Sequence, residues 1–432
     1  MRDPIKALET APMSGAQIRA VAITGILSVI DGYDVLAMTF AAPGVSNAWG
    51  LGKGELGLAL SSGLAGMILG SMLLAPLADR FGRRPISLLC LALMSVGMLL
   101  AALSHSLREL IACRIITGVG IGALVPIIAP LAAEYANARS RRLALAIMSL
   151  GYPVGGTIGG FVAAILLRHY DWPALFLFGA ALSALMILPT FLYLIETPAI
   201  LLAIRPRGAL DRINDYLARC GVPPLAALPP AGVRSRRATY REIFLPERRS
   251  ATLRIAAINF LFMLSVYYIL SWMPQMIADN GHSASFAAAV SAITCLAGVT
   301  ICLALGVIGP RIPLVWLAGS ALIGLGVGTA AFGAAAWASA MMIALSILVG
   351  SSLYAATLGV FSTIVATFDP YSRATGVGFV MGVGRAAGAI APALAGLLFT
   401  IGISRAAVSL ALATGALAAA CLIFANRRHH AA

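Results

Sequence analysis

The segment that sets the architecture reads ILSVIDGYDVL, residues 26–36, and lies inside the first long apolar run of the 432-residue chain. Asp31 and Asp34 are the only acidic residues in any of the apolar runs. Residues three apart on a helix share a face, so the two carboxyl groups point the same way. A charge inside a bilayer costs about 3 kcal/mol on insertion scales, so such residues face a cavity or a partner. The pair predicts a proton-carrying or ion-carrying site, with a polar contact between helices as the alternative.

The composition indicates a membrane protein. Hydrophobic residues make up 60% of the chain, charged residues 11%, and the mean hydropathy is +0.94. A soluble domain carries about a quarter charged residues, so a soluble globule is excluded. The six cysteines are scattered without a C-x-x-C pair, and most lie inside apolar runs. They predict neither a disulfide framework nor a metal site.

Twelve apolar runs are long enough to span a bilayer, which predicts an all-α membrane protein with two six-helix halves. The runs of the first half are 18–42, 56–77, 86–103, 110–133, 143–167 and 172–195; those of the second are 253–277, 287–308, 314–332, 338–367, 374–401 and 406–425. The first run is too long for a signal peptide and lacks a cleavage site, so it is expected to remain as a helix.

The positions of Lys and Arg predict the orientation. Most of the 30 Lys and Arg residues fall in loops on the side of both termini. The opposite side holds only Lys53, Arg108, Arg168 and Arg405. The positive-inside rule therefore places both termini in the cytoplasm. Topology explains the net charge of +14, and no nucleic-acid partner is expected.

The chain is expected to divide at its polar stretches. The predicted parts are a cytoplasmic N-terminus (1–17), an N-terminal six-helix bundle (18–195), a central cytoplasmic loop (196–252), a C-terminal six-helix bundle (253–425) and a cytoplasmic tail (426–432). In the loop, residues 208–218 have helical apolar spacing that suits the membrane face. Paired prolines then indicate a linker, and the basic run from Arg234 to Arg237 indicates an inner anchor.

Apart from Arg19 and Arg254 at the very start of their runs, four charged residues lie inside the predicted spans: Asp31, Asp34, Arg114 and Arg385. A rise of about 1.5 Å per residue places all four near the midplane. This layer predicts a polar cavity for an anion and a proton, with a structural ion-pair network as the alternative. All five histidines lie in loops or the tail, so neither a buried hydrolase nor a metalloenzyme is expected. A channel needs rings of carbonyl groups or charges from symmetric elements, whereas these residues form one asymmetric cluster. A carrier is therefore the favoured class of protein.

The two halves contain similar segments. Arg142 and Arg373 are each followed nine residues later by a glycine, Gly151 or Gly382, that begins a Gly-rich helix. Transporters built from repeats place the substrate between such halves near the midplane. In this register Val154 corresponds to Arg385, so the site is predicted to be asymmetric.

The loop between the second and third spans, APLADRFGRRP at 75–85, resembles the signature of the major facilitator superfamily, as do the twelve spans. The corresponding second-half stretch, GVIGPRIP at 306–313, has lost the acid. The resemblance implies a gate, and the acids at the inner ends of the spans, Glu134 and Glu196, are expected to hold the cytoplasmic side closed. The predicted gating residues are Asp79, Arg80, Gly82, Arg83, Arg84, Glu134 and Arg373.

Within that superfamily, the D-G-Y-D at 31–34 resembles the aromatic acid:proton symporters. So do RIITGVGIGA at 114–123, SWMP at 271–274, RATGVGF at 373–379 and GVGR at 382–385. The resemblance implies that the chain imports aromatic carboxylates such as hydroxybenzoates with protons across a bacterial inner membrane. The alternatives are a proton-coupled porter of non-aromatic organic acids or sugars, a drug exporter, and a sensor without transport.

The residues suggest roles for that activity. Asp31 and Asp34 are the predicted proton-coupling pair, and Arg385 the predicted anchor of the substrate carboxylate. Arg114 is either a second contact or the charge partner of the acids. Ring faces are expected from Tyr33, Tyr268 and Trp272, although such side chains also serve as interfacial anchors.

The glycines beside Arg385, at 382, 384 and 388, are expected to open space for the ligand, with close helix packing as the alternative. The expected partners are the substrate, protons and the bilayer, with no cofactor or metal and a monomer as the working unit.

Overall fold

The computed structural model describes residues 8–229, 240–334, 338–369 and 371–430. Within them, twelve helices are long and apolar enough to cross a membrane, and no strand occurs. We number these helices as spans 1 to 12. They are Gly15–Trp49, Lys53–Phe81, Arg83–Ala102, Leu107–Tyr135, Arg141–His169, Pro173–Tyr193, Pro246–Asp279, Ala284–Ile308, Leu314–Ala334, Ser339–Thr367, Thr375–Thr400 and Arg405–Ala425. The predicted all-α membrane fold is confirmed. The basic run from Arg234 to Arg237 lies outside the described residues, as do parts of both termini.

Several spans extend beyond the apolar runs because polar residues form their ends. Span 1 covers 35 residues and contains Pro43. Span 4 begins at Leu107 rather than at residue 110 because Ser106 caps it, accepting a hydrogen bond from the Glu109 amide at 3.4 Å. The Glu109 carboxylate in turn accepts from the His105 amide at 2.8 Å, which completes a capping pair.

Clustering of contacts divides the chain into two compact units, and the division cuts through spans 1, 2 and 5. Within the described residues, the first unit contains 8–35, Gly66–Gly155 and 173–229. The second unit contains Leu36–Ala65, Gly156–Trp172 and the described residues from 240 onward. We describe each unit separately.

In the first unit, close approach of spans 1 and 5 depends on glycine. A Cβ on Gly32 would lie 2.2 Å from the carbonyl oxygen of Tyr152, and one on Gly155 would lie 1.9 Å from that of Val29. No side chain fits at either position, so the two backbones touch directly. The glycine of D-G-Y-D is therefore required by packing, and it fixes the rotation of span 1 that buries the neighbouring acids.

The central polar stretch forms two short helices in the first unit, Pro198–Ile204 and Ala209–Arg219. The second confirms the predicted helical spacing. Its apolar face is buried, with Ile213 and Leu217 packed against Ile200 and Leu201. Its Tyr216 ring also stacks on Tyr135 at the end of span 4, with 6.2 Å between ring centroids. The helix is held by these protein contacts.

The second unit contains first-half segments packed against second-half spans. The Lys53 ammonium group at the start of span 2 pairs with the Asp279 carboxylate at the end of span 7, 2.5 Å away. Further along span 2, the Ser61 hydroxyl accepts a hydrogen bond from the Ala393 amide of span 11 at 2.9 Å. Between spans 5 and 8, the Ser285 hydroxyl donates to the Ala164 carbonyl at 2.6 Å. Polar contacts thus join three pairs of spans: 2 with 7, 2 with 11, and 5 with 8.

Candidate functional site

Three charged residues of spans 1 and 4, Asp31, Asp34 and Arg114, are buried inside the first unit. Asp31 and Arg114 are 2% exposed, and Asp34 is 0% exposed. The Ser183 hydroxyl of span 6 donates to Oδ2 of Asp34 at 3.2 Å. Nη2 of Arg114 donates to the backbone carbonyl of Asp34 at 3.1 Å. Spans 1, 4 and 6 therefore enclose one charged cluster.

The other contacts of Arg114 are weak ones. Its Nη1 donates to the Met98 sulfur at 3.5 Å, and its guanidinium carbon lies 5.8 Å from the centroid of the Phe176 ring. Among the described residues, Nε of Arg114 and Oδ1 of Asp34 have no hydrogen-bond partner. An acid and a guanidinium group thus share an apolar interior with part of their hydrogen-bonding capacity unused. An ionised carboxylate is costly in such a place unless its charge is compensated.

Tyr33 lies beside these acids but faces span 6. Its hydroxyl donates to the Leu175 carbonyl at 2.6 Å, and its ring meets the edge of Phe178 with 5.3 Å between centroids. The side chain is 1% exposed. The structure therefore places Tyr33 in the packed interior of the first unit.

Arg385 of span 11, in the second unit, has a different environment. It is partly exposed, and no hydrogen bond or ion pair joins it to the described residues. Gly382, one turn before it, has open space around it. The five donors of its guanidinium group are therefore not used by the described residues.

Two neighbouring glycines correct an expectation. A Cβ on Gly384 would lie 2.2 Å from Nδ2 of Asn259, and one on Gly388 would lie 2.6 Å from the Tyr267 ring. The expectation that Gly384 and Gly388 leave open space for a ligand is wrong, because side chains of span 7 occupy that space. Only Gly382 has the open space that was expected beside Arg385.

The two predicted aromatic contacts on span 7 are also buried in the second unit. The Tyr268 hydroxyl lies 2.5 Å from that of Ser409, and the ring is 0% exposed. The Trp272 indole donates to the Pro392 carbonyl at 3.1 Å, and its ring is 1% exposed. Trp272 therefore does not lie at a lipid-facing interface, which was the alternative for this residue.

The loop between spans 2 and 3 is held by acids from two other elements of the first unit. Gly82 adopts φ 104°, a conformation that favours glycine, and separates the two helices. Arg83 pairs with Glu134 of span 4, 2.6 Å between Nη1 and Oε1. The Arg84 amide donates to Oε1 of Glu196 at 2.8 Å. Burial raises the pKa of Glu196, and the amide hydrogen bonds oppose that rise.

The remaining predicted gating residues are exposed. Asp79 and Arg80 face outward, and Asp79 forms no ion pair with the described residues. Arg373 donates to the Phe368 carbonyl at 3.4 Å. Beside it, Arg248 pairs with Asp369 at 2.7 Å, a contact that the sequence reasoning missed because neither residue belongs to a recognisable motif.

A large apolar cavity of about 860 Å³ lies between spans 1 and 5 in the first unit. It is lined by apolar side chains and small residues, among them Val29, Ile147 and Val154, and Ser140 is the one polar residue among the described residues that line it. We call it the span 1–5 groove. Its volume and lining suit a flat apolar ring.

The comparisons with known proteins bear on this arrangement. The described residues contain twelve helices that are long and apolar enough to cross a membrane, which defines the class of polytopic membrane proteins. The family profile of the Major Facilitator Superfamily matches residues 24–392. The chain therefore belongs to this superfamily. It is a membrane transporter and not an enzyme, as its family and its relatives indicate.

Two curated relatives are similar over most of their length. The gallate transporter of Pseudomonas putida is 28% identical over 97% of this chain and 94% of its own length. The 4-hydroxybenzoate transporter PcaK of Pseudomonas aeruginosa is 29% identical over 88% of this chain and 85% of its own length. The resemblance to aromatic-acid transporters is thereby confirmed.

The fold is also similar to that of a solved structure. The xylose transporter XylE from E. coli has a TM-score of 0.74 at 15% identity, covering 95% of this chain and 99% of that protein. At this identity the similarity concerns the fold alone.

Proposed function

We propose that this protein imports aromatic carboxylates of the hydroxybenzoate type by proton symport across the inner membrane of a bacterium. The relatives named for gallate and 4-hydroxybenzoate support the substrate class. The carboxyl groups buried in span 1 support the proposal that the coupling ion is a proton. Both termini face the cytoplasm in this proposal, in keeping with the positive-inside rule.

The observation that carries the proposal is the burial of Asp34. Its carboxyl group is 0% exposed, and one oxygen lacks a hydrogen-bond partner among the described residues. Asp31 is nearly as buried one turn earlier on the same helix. Two acids this close in a low-dielectric interior disfavour double ionisation, so one of them loads a proton. Protonation removes a buried charge, and release restores it, which links proton binding to a change of conformation.

Arg385 binds the substrate carboxylate in this proposal. Its guanidinium group has no polar partner among the described residues, and a planar fork matches a carboxylate with two parallel hydrogen bonds. Arg114 is the charge partner of the acids instead, because it is 2% exposed and donates to the Asp34 backbone.

Alternating access requires contacts that break and re-form. The pair between Arg83 and Glu134 and the hydrogen bond from Arg84 to Glu196 supply such contacts in the first unit. The pair between Arg248 and Asp369 does so in the second. Each is a short charged contact near a loop, of the kind that a conformational change can exchange for water.

Uptake of labelled 4-hydroxybenzoate into proteoliposomes, with and without an inward proton gradient, tests the proposal. We expect accumulation above the external concentration only when the gradient is present. The Asp31→Asn, Asp34→Asn double variant should lose accumulation but retain exchange of labelled for unlabelled substrate. Labelled xylose is the control for substrate class. Undiminished uphill uptake by the double variant would refute the coupling role of the acids.

A further inference from the structure

One face of span 6 is shaped around the D-G-Y-D segment. Leu175, Gly179 and Ser183 are four residues apart and therefore lie on one side of the helix. The Leu175 carbonyl accepts the Tyr33 hydroxyl at 2.6 Å, and the Ser183 hydroxyl donates to Oδ2 of Asp34 at 3.2 Å. Gly179 lies between these two contacts. We call these three residues the span 6 cradle.

Gly179 leaves no room for a side chain beside the carboxylate. A Cβ there would lie 2.9 Å from Oδ1 of Asp34, 3.0 Å from Cε of Met98 and 3.1 Å from Cε1 of Tyr33. That same Oδ1 has no hydrogen-bond partner among the described residues, while Asp34 and Ser183 are both 0% exposed. Oδ2 of Asp34 thus accepts a hydrogen bond from the Ser183 hydroxyl, whereas Oδ1 lies beside Gly179, which has no side chain.

The charged and titratable groups around Asp34 come from three spans. Asp31 and Tyr33 lie on span 1 itself, and Arg114 approaches from span 4. Span 3 contributes the uncharged Met98 near Arg114 and Cys90 near Asp31. Arg114 donates to the backbone oxygen of Asp34, so the hydroxyl of Ser183 is the hydrogen-bond donor that the described residues offer to the carboxylate itself.

We propose that Ser183 is a positioning residue that sets the pH range in which Asp34 exchanges its proton, with Gly179 keeping Oδ1 open to that proton. The inference rests on the proton coupling proposed above and adds span 6 to it. A proton adds to a lone pair of Oδ1, the carboxylate becomes a neutral carboxyl group, and Ser183 continues to donate to Oδ2. Release reverses the step and returns the negative charge.

The direction of the effect follows from the donor. A hydrogen bond donated to a carboxylate favours its ionised form. Removing the hydroxyl leaves Asp34 protonated up to a higher pH, so the part of the pH profile of uptake that depends on Asp34 moves to higher pH. A hydrogen bond to a charged group corresponds to a shift of about one pH unit.

The pH dependence of 4-hydroxybenzoate uptake by Ser183→Ala proteoliposomes tests this inference. Ser95→Ala is the matched control, because Ser95 donates to the Ala180 carbonyl of the same span 6 at 3.0 Å without contacting the acid. We expect the profile of Ser183→Ala to move upward by about one unit, that of Ser95→Ala to stay in place, and Ser183→Thr to restore the original range. A profile of Ser183→Ala that coincides with the wild type would overturn the inference. Should Ser183→Ala fail to fold, Ser183→Cys gives the same reading, since a thiol is a weaker donor.

A second variant tests the open oxygen. Gly179→Ala places a methyl group against Oδ1 and should reduce proton-driven accumulation several-fold while leaving exchange measurable. Gly306→Ala is the control, because nothing lies within 4 Å of that position. Accumulation by Gly179→Ala at the wild-type level would contradict the role of Gly179. The Asp34→Asn variant separates the two proposals. If it still accumulates substrate, the proposed proton coupling is wrong. If it loses accumulation while the pH profile of Ser183→Ala equals that of the wild type, only the proposed role of the span 6 cradle is wrong.

Discussion

At the scale of single residues, Arg385 and Arg114 differ in what surrounds the guanidinium group. Arg385 has no polar partner among the described residues, whereas Arg114 is enclosed and donates to span 1. Arg385→Ala should therefore weaken binding of 4-hydroxybenzoate by about 2–5 kcal/mol, because the substrate carboxylate loses a paired charge. The affinity of Arg385→Lys should lie between those of the wild type and Arg385→Ala, since lysine keeps the charge but cannot donate two parallel hydrogen bonds to a carboxylate. Titration calorimetry on the purified protein measures both.

The control for that prediction is Arg168→Ala, which removes an exposed charge at the end of span 5 and should bind normally. Wild-type affinity in Arg385→Ala would show that another group holds the carboxylate.

The sequence alone identified the acids of span 1 but not the residues that hold them. Asp31 and Asp34 stand out because charge is rare in an apolar run. Ser183 and Gly179 do not, since serine and glycine are ordinary in membrane helices. Their contact with Asp34 depends on the rotation of span 6 against span 1. Local pattern does not determine that rotation, so no sequence signal pointed to them.

At the scale of helices, spans 7 and 11 pack through a row of small residues. The ring of Tyr267 fills the place of a side chain at Gly388. Gly388→Ala should reduce stability by about 1–3 kcal/mol, the range seen for overpacked interiors. Gly382→Ala, where the space is open, should be tolerated. Thermal unfolding in detergent compares the two, and equal melting temperatures would show that the spans adjust.

The span boundaries illustrate the same limit. The twelve apolar runs predicted the number of spans because a helix in lipid must satisfy its backbone hydrogen bonds internally. The ends were predicted too short where polar residues continue the helix, as at the Ser106 cap of span 4. The glycines of span 11 were interpreted as open space, whereas 384 and 388 receive side chains from span 7. Composition therefore predicts which segments are helices, but it does not predict how those helices pack against one another.

The loop after span 2 leads to a prediction about rate. Arg83 pairs with Glu134 at 2.6 Å, and both side chains are partly exposed. Glu134→Gln should change the rate of transport by several-fold with near-normal substrate binding, because the contact biases conformations rather than touching the ligand. Asp79→Asn, in the last turn of span 2, should also slow transport, as the superfamily resemblance implies. The exchanged pair Arg83→Glu, Glu134→Arg should recover part of the rate. Initial uptake rates give the comparison, and unchanged turnover in Glu134→Gln would argue against a gating role.

At the scale of the whole molecule, the proposed alternating access requires the contact between spans 2 and 11 within the second unit to open. A Cβ on Gly54 would lie 3.9 Å from the Cβ of Thr400, a separation within the range for a disulfide. Oxidation of a Gly54→Cys, Thr400→Cys variant should therefore abolish uptake, and reduction should restore it. Each single-cysteine variant is a control for the six native cysteines. Full uptake by the cross-linked protein would mean that this contact persists throughout the cycle.

The most direct test of proton symport is to measure the proton itself. Proteoliposomes with a pH-sensitive dye inside receive external 4-hydroxybenzoate near pH 7, where the acid is almost wholly ionised and crosses bare lipid slowly. Protein-free liposomes give the background. The wild type should acidify the lumen as substrate enters, and Asp34→Asn should take part in exchange without acidification. Substrate entry through the wild type with no change of internal pH beyond the background would contradict proton symport.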